Sequence, residues 1–172
     1  MNDTPLNISP EDLTGSNPRA ASMRLKAKSL SQAYGQRRHD LRIGPQPKYV
    51  DPNRQHLNRI LISPRPLPEI RRDVIALRKQ AGAKRAMKSN AAVVTAGIIT
   101  FGHEAQKLFL GLSLDQQDAA FRELAQAIAD RLGTSLEALT VHCDESAIHA
   151  HLELRALNHA GVPLSKSTRP TL

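Results

Sequence analysis

The sequence predicts an α+β fold in which a central antiparallel sheet is backed by helices. Three observations carry this reading. The stretch after Ser113 has the 3.6-residue apolar period of a helix, with Phe121, Leu124, Ile128 and Leu132 on one side. Ala91 to Phe101 is rich in Val, Ile and Thr, as a buried strand is. Leu136 to His142 and Ala150 to Leu157 are two short apolar runs flanking a polar connection, the pattern of neighbouring strands.

The elements follow in order. Residues 1–18 hold Asn, Ser, Pro, Gly and Thr with little apolar material and are expected to form a flexible lead-in, leaving 19–172 as one domain. From Ala21 to about Arg38 there is no proline, and Met23, Ala27, Leu30 and Tyr34 recur at a spacing that predicts an amphipathic helix with a basic outer side. Gly44, Pro45, Pro47 and Pro52 mark a loop, and Arg59 to Ile62 a short strand. Pro64, Pro66 and Pro68 precede Ile70, Val74 and Leu77, which predict a helix to about Ala81. A basic linker leads to the strand at 91–101. Ser113 with Gln116 is a capping box, and Gly133 stops that helix. Asn158 to Gly161 is a turn between the last strand and the tail.

The net charge of +8 is unevenly spread. Residues 19–88 hold 18 Lys or Arg against four acids, so the remainder is net acidic. A basic half of this kind fits a polyanionic partner, nucleic acid first, because each cation placed on a phosphate releases condensed counterions. A plain solvated surface or an anionic membrane is the alternative. With two Tyr, three Phe and no Trp, the chain lacks the aromatic faces of a base-stacking platform. The lone Cys143 cannot form an internal disulfide, no apolar run reaches the length of a membrane span, and the first residues do not resemble a secretion signal; the expected location is the cytoplasm.

The chemistry gathers at His142-Cys-Asp-Glu145-Ser-Ala-Ile-His149-Ala-His151. Residues two apart on a strand share a face, so His149 and His151 present both imidazoles to one side. An antiparallel neighbour ending at His142 reaches the same point, and Glu145 supplies a hard oxygen ligand or orients a histidine. A lone His-x-His is commonplace on solvated strands. Three of the seven histidines plus Asp144 and Glu145 within ten residues favour a metal site, and mixed imidazole and carboxylate donors suit zinc, manganese, iron or magnesium. Asp144, with its short side chain, fits hydrogen bonding to a histidine as well as ligation.

This cluster resembles the third motif of the Mob/Pre plasmid mobilisation and recombination relaxases, the MobV group. Two further segments match in order: Arg38-His39-Asp40-Leu41-Arg42 resembles the first motif, and Asp51-Pro-Asn-Arg54-Gln-His-Leu-Asn58 the second. Gly161-Val-Pro-Leu164-Ser165 resembles the segment after the third. Two positions depart: Asp40 stands where the family usually has Asn, placing an acid beside His39 where it would weaken phosphate approach, and Ile148 stands where Pro is usual. The chain also ends sooner than family members, which continue into a long helical region.

The resemblance implies a relaxase-like (HUH-endonuclease-like) fold and a bacterial enzyme that nicks one strand of a plasmid transfer origin and keeps the 5′ end covalently. It implies Mn²⁺ or Mg²⁺ held by His142, Glu145, His149 and His151. The catalytic residues it implies are His39 as nucleophile, Arg42 and Glu145, with Tyr34 the rival nucleophile. DNA contact falls to Arg37, Arg38, Arg54 and Asn58, over the single-stranded nick region and adjacent duplex, and a conjugative coupling protein is an expected partner. His56, His103 and His159 read as surface or structural residues. Competing readings are a rolling-circle replication initiator, which normally cuts with tyrosine, and a non-catalytic origin-binding protein. A metallopeptidase is disfavoured because the helical His-Glu-x-x-His signature is missing.

Overall fold

In a computed structural model the described residues are 17–167. They form five strands and five helices: β1 (Ala21–Ser29), α1 (Leu30–Asp40), a 3-10 turn (Pro52–Leu57), β2 (Arg59–Ile62), α2 (Leu67–Gln80), β3 (Ala92–Phe101), α3 (His103–Leu110), α4 (Leu114–Leu132), β4 (Leu136–His142), β5 (His149–Arg155) and α5 (Leu164–Ser167). The sheet runs β1-β3-β5-β4-β2, with every neighbouring pair antiparallel. β5 is therefore the central strand, and all its residues but His151 are buried.

Alternation along β5 divides its side chains between two layers. Ala150, Leu152 and Leu154 turn to one face, where they pack with Leu139 and Val141 of β4 and with Phe121, Ala125 and Ala129 of α4. All three phenylalanines join this core: Phe101 lies 4.6 Å from Phe109 and 5.7 Å from Phe121, centre to centre. None is left to stack on a base. The other face carries His149, His151 and Glu153, with α1 and α2 beside them around Ala33, Leu67, Ile70, Val93 and Val94.

The helix expected over Ala21 to Arg38 is instead a strand followed by a helix, and the physical reason lies in two signals. Arg24, Lys26 and Lys28 alternate with Met23, Leu25 and Ala27, a period of two that a four-residue spacing also satisfies. Ser29 then caps α1: its hydroxyl accepts from the Gln32 backbone, and the Gln32 side chain accepts from the Ser29 backbone. α3 is an element that the sequence reading did not anticipate; β5 begins one residue earlier than expected and stops before Leu157, which forms a bridge with Pro163. Most of the lead-in, residues 1–16, lies outside the described residues. Pro18 is tied down, its carbonyl accepting from the backbones of Glu104 and Ala105. Among the described residues no helix is long and apolar enough to cross a membrane.

Candidate active site

The strand register builds the site. His142 at the end of β4 pairs directly with His149 at the start of β5, and His151 sits opposite Thr140 of β4 and Ile98 of β3. Directly opposed residues share a face, so the three imidazoles converge, with ring centres 4.7 to 5.2 Å apart. His39, on the last turn of α1, adds a fourth ring 5.8 Å from His142 and 5.7 Å from His151.

Each of the three has its outward nitrogen engaged. His142 is wholly buried and donates from Nε2 to the Asp40 carbonyl at 2.8 Å. His149 donates from Nδ1 to the Ala147 carbonyl at 2.9 Å. His151 Nδ1 lies 3.2 Å from Asp40 Oδ1. Of the remaining nitrogens, His149 Nε2 and His151 Nε2 are left with lone pairs for a ligand, while His142 Nδ1 accepts from Arg42 Nη2 at 3.1 Å. This pattern of engaged outer nitrogens is the one that orients metal-binding histidines. Two overlapping donor sets fit an ion, His39 with His142 and His151, and His142 with Glu145 and His149; in each the donor atoms lie within 4.8 Å of one another. Glu145 is the hub: its Oε1 lies 3.8 Å from His39 Nε2, His142 Nδ1 and His149 Nε2 alike.

Electrostatics favours the neutral form of His39, His142 and His151. Burial pushes His142 down to about 4 and His151 down to about 2, the neighbouring histidines adding to the effect on His151. His39 is lowered as well, first by burial and then by the adjacent Arg42 charge. Three imidazoles and a carboxylate brought together in this way are the donor set a divalent ion of intermediate hardness takes.

Arg42 holds the site together. Its Nε and Nη2 grip the two oxygens of Asp144 at 2.8 and 2.7 Å, and Nη2 also donates to Glu145 Oε1 at 2.7 Å and to His142 Nδ1 at 3.1 Å. Nη1 donates to the His39 carbonyl at 3.0 Å. Burial works against the guanidinium charge, but these carboxylates outweigh it and raise its pKa. Asp144 is fully buried; burial opposes its ionisation, yet the hydrogen bonds from Arg42 and Asn58 hold its carboxyl down at about 2. The aim of Arg42 comes from the helix end. Ile43 N–H donates to the Arg38 carbonyl and Arg42 N–H to the His39 carbonyl, a Schellman closure whose left-handed residue, usually glycine, is Arg42 at φ 55°.

The three matched motifs meet in this network. Asn58 donates to Asp144 Oδ2 at 2.8 Å and accepts from the Cys143 backbone at 2.7 Å, so both ends of its amide are spent inside the fold. The Asp51 backbone donates to the Asp144 carbonyl, and its side chain caps the 3-10 turn. Arg54 is exposed beside the site, 3.4 Å from the Glu145 carbonyl. Arg38 is exposed, but Arg37, grouped with it as a DNA contact, makes a paired hydrogen bond to the buried Glu153, with Nη2 to Oε2 at 2.7 Å. Tyr34 is half exposed on α1 and takes no part in the cluster. The Asp40 carboxyl is buried, accepts from Gln36 at 2.7 Å and faces His151, and burial raises its pKa to about 7. His56 and His103 lie at the surface, and His159 accepts from Arg155.

No curated protein matches the chain. Among solved structures it is similar to the MobM relaxase domain (MOBV; Mob_Pre) bound to plasmid pMV158 oriT DNA of 22 nucleotides, Mn-bound, at pH 5.5. That likeness has a TM-score of 0.69 and 23% identity, covering 87% of this chain and 77% of the other. The same domain bound to a 26-nucleotide pMV158 oriT DNA matches with a TM-score of 0.58 at 18% identity, over 87% and 76%. The fold is thus that of the relaxase domain. A family model described as plasmid recombination enzyme (Mob_Pre) matches residues 19–169, and the chain therefore belongs to the Mob_Pre family.

Proposed function

We propose that the chain is a metal-dependent, strand-specific DNA-nicking and rejoining enzyme acting on a plasmid transfer origin. The observation that carries this reading is the convergence of three imidazoles with engaged outer nitrogens, with His39 and Arg42 at their edge. His142, His149, His151 and Glu145, drawn from the two overlapping donor sets, would hold the ion, Mn²⁺ or Mg²⁺ by analogy with the Mn-bound relaxase domains. When bound it supplies charge to neutralise the non-bridging oxygens of a phosphodiester.

His39 is the nucleophile in this reading. One nitrogen of its neutral ring attacks phosphorus, forming a P–N bond as the bond to the 3′ oxygen breaks. The 3′ oxygen takes a proton from water and leaves as a hydroxyl, and the phosphorylated ring gives its other N–H proton back to that water. Burial and Arg42 favour the uncharged ring that such an attack needs. Arg42 fixes the last turn of α1, and with it His39, against the 143–145 connection. Reversal by the retained 3′ end rejoins the strand. Arg38 and Arg54, exposed on this side, are the proposed phosphate contacts, and a conjugative coupling protein is the proposed partner.

The test is supercoiled plasmid carrying the cognate origin. The expected result is conversion to the open circle by a break in one strand, supported by Mn²⁺ or Mg²⁺ and stopped by chelator. Binding without cleavage in every metal would leave only an origin-binding protein.

Asp40 gives a prediction for the metal itself. Because its carboxylate faces His151 and its carbonyl holds His142, Asp40→Ala removes the outer partner of one ligand. Mn²⁺ affinity, measured by titration calorimetry, is expected to fall about 10- to 100-fold. An unchanged affinity would show that His151 needs no such partner.

A further inference from the structure

We propose that the face of β1 beside His151 is a phosphate track for a single DNA strand, contacted by Arg24, Lys26 and Lys28. The proposal rests on the nicking reading above and extends it to residues outside the cluster. These three cations stand opposite Ile98, Ala96 and Val94 of β3, which in turn stand opposite His151, Glu153 and Arg155 of β5. They therefore share the sheet face of the histidines. Alternate strand residues are about 6.7 Å apart, so they make a straight row of charge leading away from the site.

The row borders a groove of about 370 Å³ lined also by Gln36, Ile98 and His151. One end of the groove is thus a wall of the proposed metal centre. Its floor at Ala96 is small and leaves room for a chain laid along it. A space near the lower end of the ~300–1,000 Å³ range of ligand pockets takes a nucleotide-sized piece of a single strand.

The charges are also available. Among the described residues none of the three forms an ion pair, and the acids nearest the groove are otherwise committed: Glu153 is held by Arg37, and Asp40 is buried against Gln36 and His151. An unmatched cationic row bordering an active-site groove is the arrangement by which single strands are tracked along their backbone. Lysines on an edge strand also keep other strands away. That role alone requires neither the groove nor the single-stranded preference that the track predicts.

The experiment measures fluorescence anisotropy of a labelled oligothymidylate of roughly twenty nucleotides, and of a duplex of equal length, over a range of salt. It compares the wild-type chain with Arg24→Gln/Lys26→Gln/Lys28→Gln and with a control of equal charge loss on the far helices, Lys107→Gln/Arg122→Gln/Arg131→Gln. Thermal unfolding checks that both variants fold. The track predicts single-strand affinity at least ~10-fold weaker at low salt in the first variant. It also predicts a slope of log affinity against log salt shallower by about 2, from three contacts at ~0.7 each, with a smaller effect on duplex and in the control. An unchanged slope, or an equal loss in the control, overturns the track. So does intact oligonucleotide binding with lost affinity for phosphatidylserine vesicles, which would assign the row to a membrane. If the wild type binds no oligonucleotide, the nicking reading falls with it.

Discussion

His39→Phe is expected to abolish the protein–DNA adduct and to lower nicking by about 10³-fold or more, because it removes the attacking nitrogen and leaves a ring of similar size. The geometry makes this a selective test. His39 packs edge-on against His142 and His151 but is not required by the inner hydrogen bonds of either, so folding should survive, and Mn²⁺ held by the set of His142, Glu145 and His149 should stay bound. Tyr34→Phe should cut normally, since Tyr34 is half exposed and outside the cluster. Denaturing gels of an origin strand labelled at its 3′ end, which stays with the fragment that carries the protein, read both variants. Normal cutting by His39→Phe, with loss in Tyr34→Phe, would transfer the nucleophile to Tyr34.

The largest effect on stability is expected at Arg42. Truncation to Ala leaves Asp144 buried with only Asn58 to satisfy it and strands Glu145 beside it, at a cost of about 3–5 kcal/mol for breaking a buried pair. Arg42→Gly should be less damaging than Arg42→Ala, by about 1 kcal/mol, because glycine accepts the left-handed conformation that closes α1 without strain. The pH dependence follows from Asp144. Its pKa in the fold, about 2, lies below the ordinary 3.8, so its stabilisation is present above pH 3.8 and disappears as pH falls towards 2. Urea unfolding should therefore show the Arg42→Ala deficit in full at neutral pH and progressively less of it in acid. A deficit independent of pH would place the cost elsewhere than the Arg42–Asp144 pair.

The legible parts of the sequence were those whose local signal and tertiary setting agree. α4 has its capping box, apolar stripe and Gly133 stop, and β4 and β5 bracket the cluster where their apolar runs predict. The convergence of His142, His149 and His151 follows from strand alternation plus one pairing. β1 was misread because Met23 and Ala27 lie on one face in either period; only the interleaved Arg24, Lys26 and Lys28 separate the two, and Ser29 with Gln32 marks the break. Arg37 and Asn58 look like DNA contacts in one dimension and prove to hold Glu153, Asp144 and the Cys143 backbone. No local pattern announces a partner more than eighty residues away. Nor does sequence spacing reveal that Asp40 turns inward to His151, since side-chain direction at a helix end depends on what packs over it.

The central claim is that a histidine-lined metal site and His39 act together on one phosphodiester. It is tested most directly by incubating the wild-type chain with cognate origin DNA and Mn²⁺, digesting the complex, and locating the nucleotide-bearing peptide by mass spectrometry under conditions that preserve acid-labile P–N bonds. The account predicts a 5′-phosphoryl adduct on His39 that forms with Mn²⁺ and is missing with chelator. A metal-independent adduct, or one carried by Tyr34 or any other residue, would contradict it.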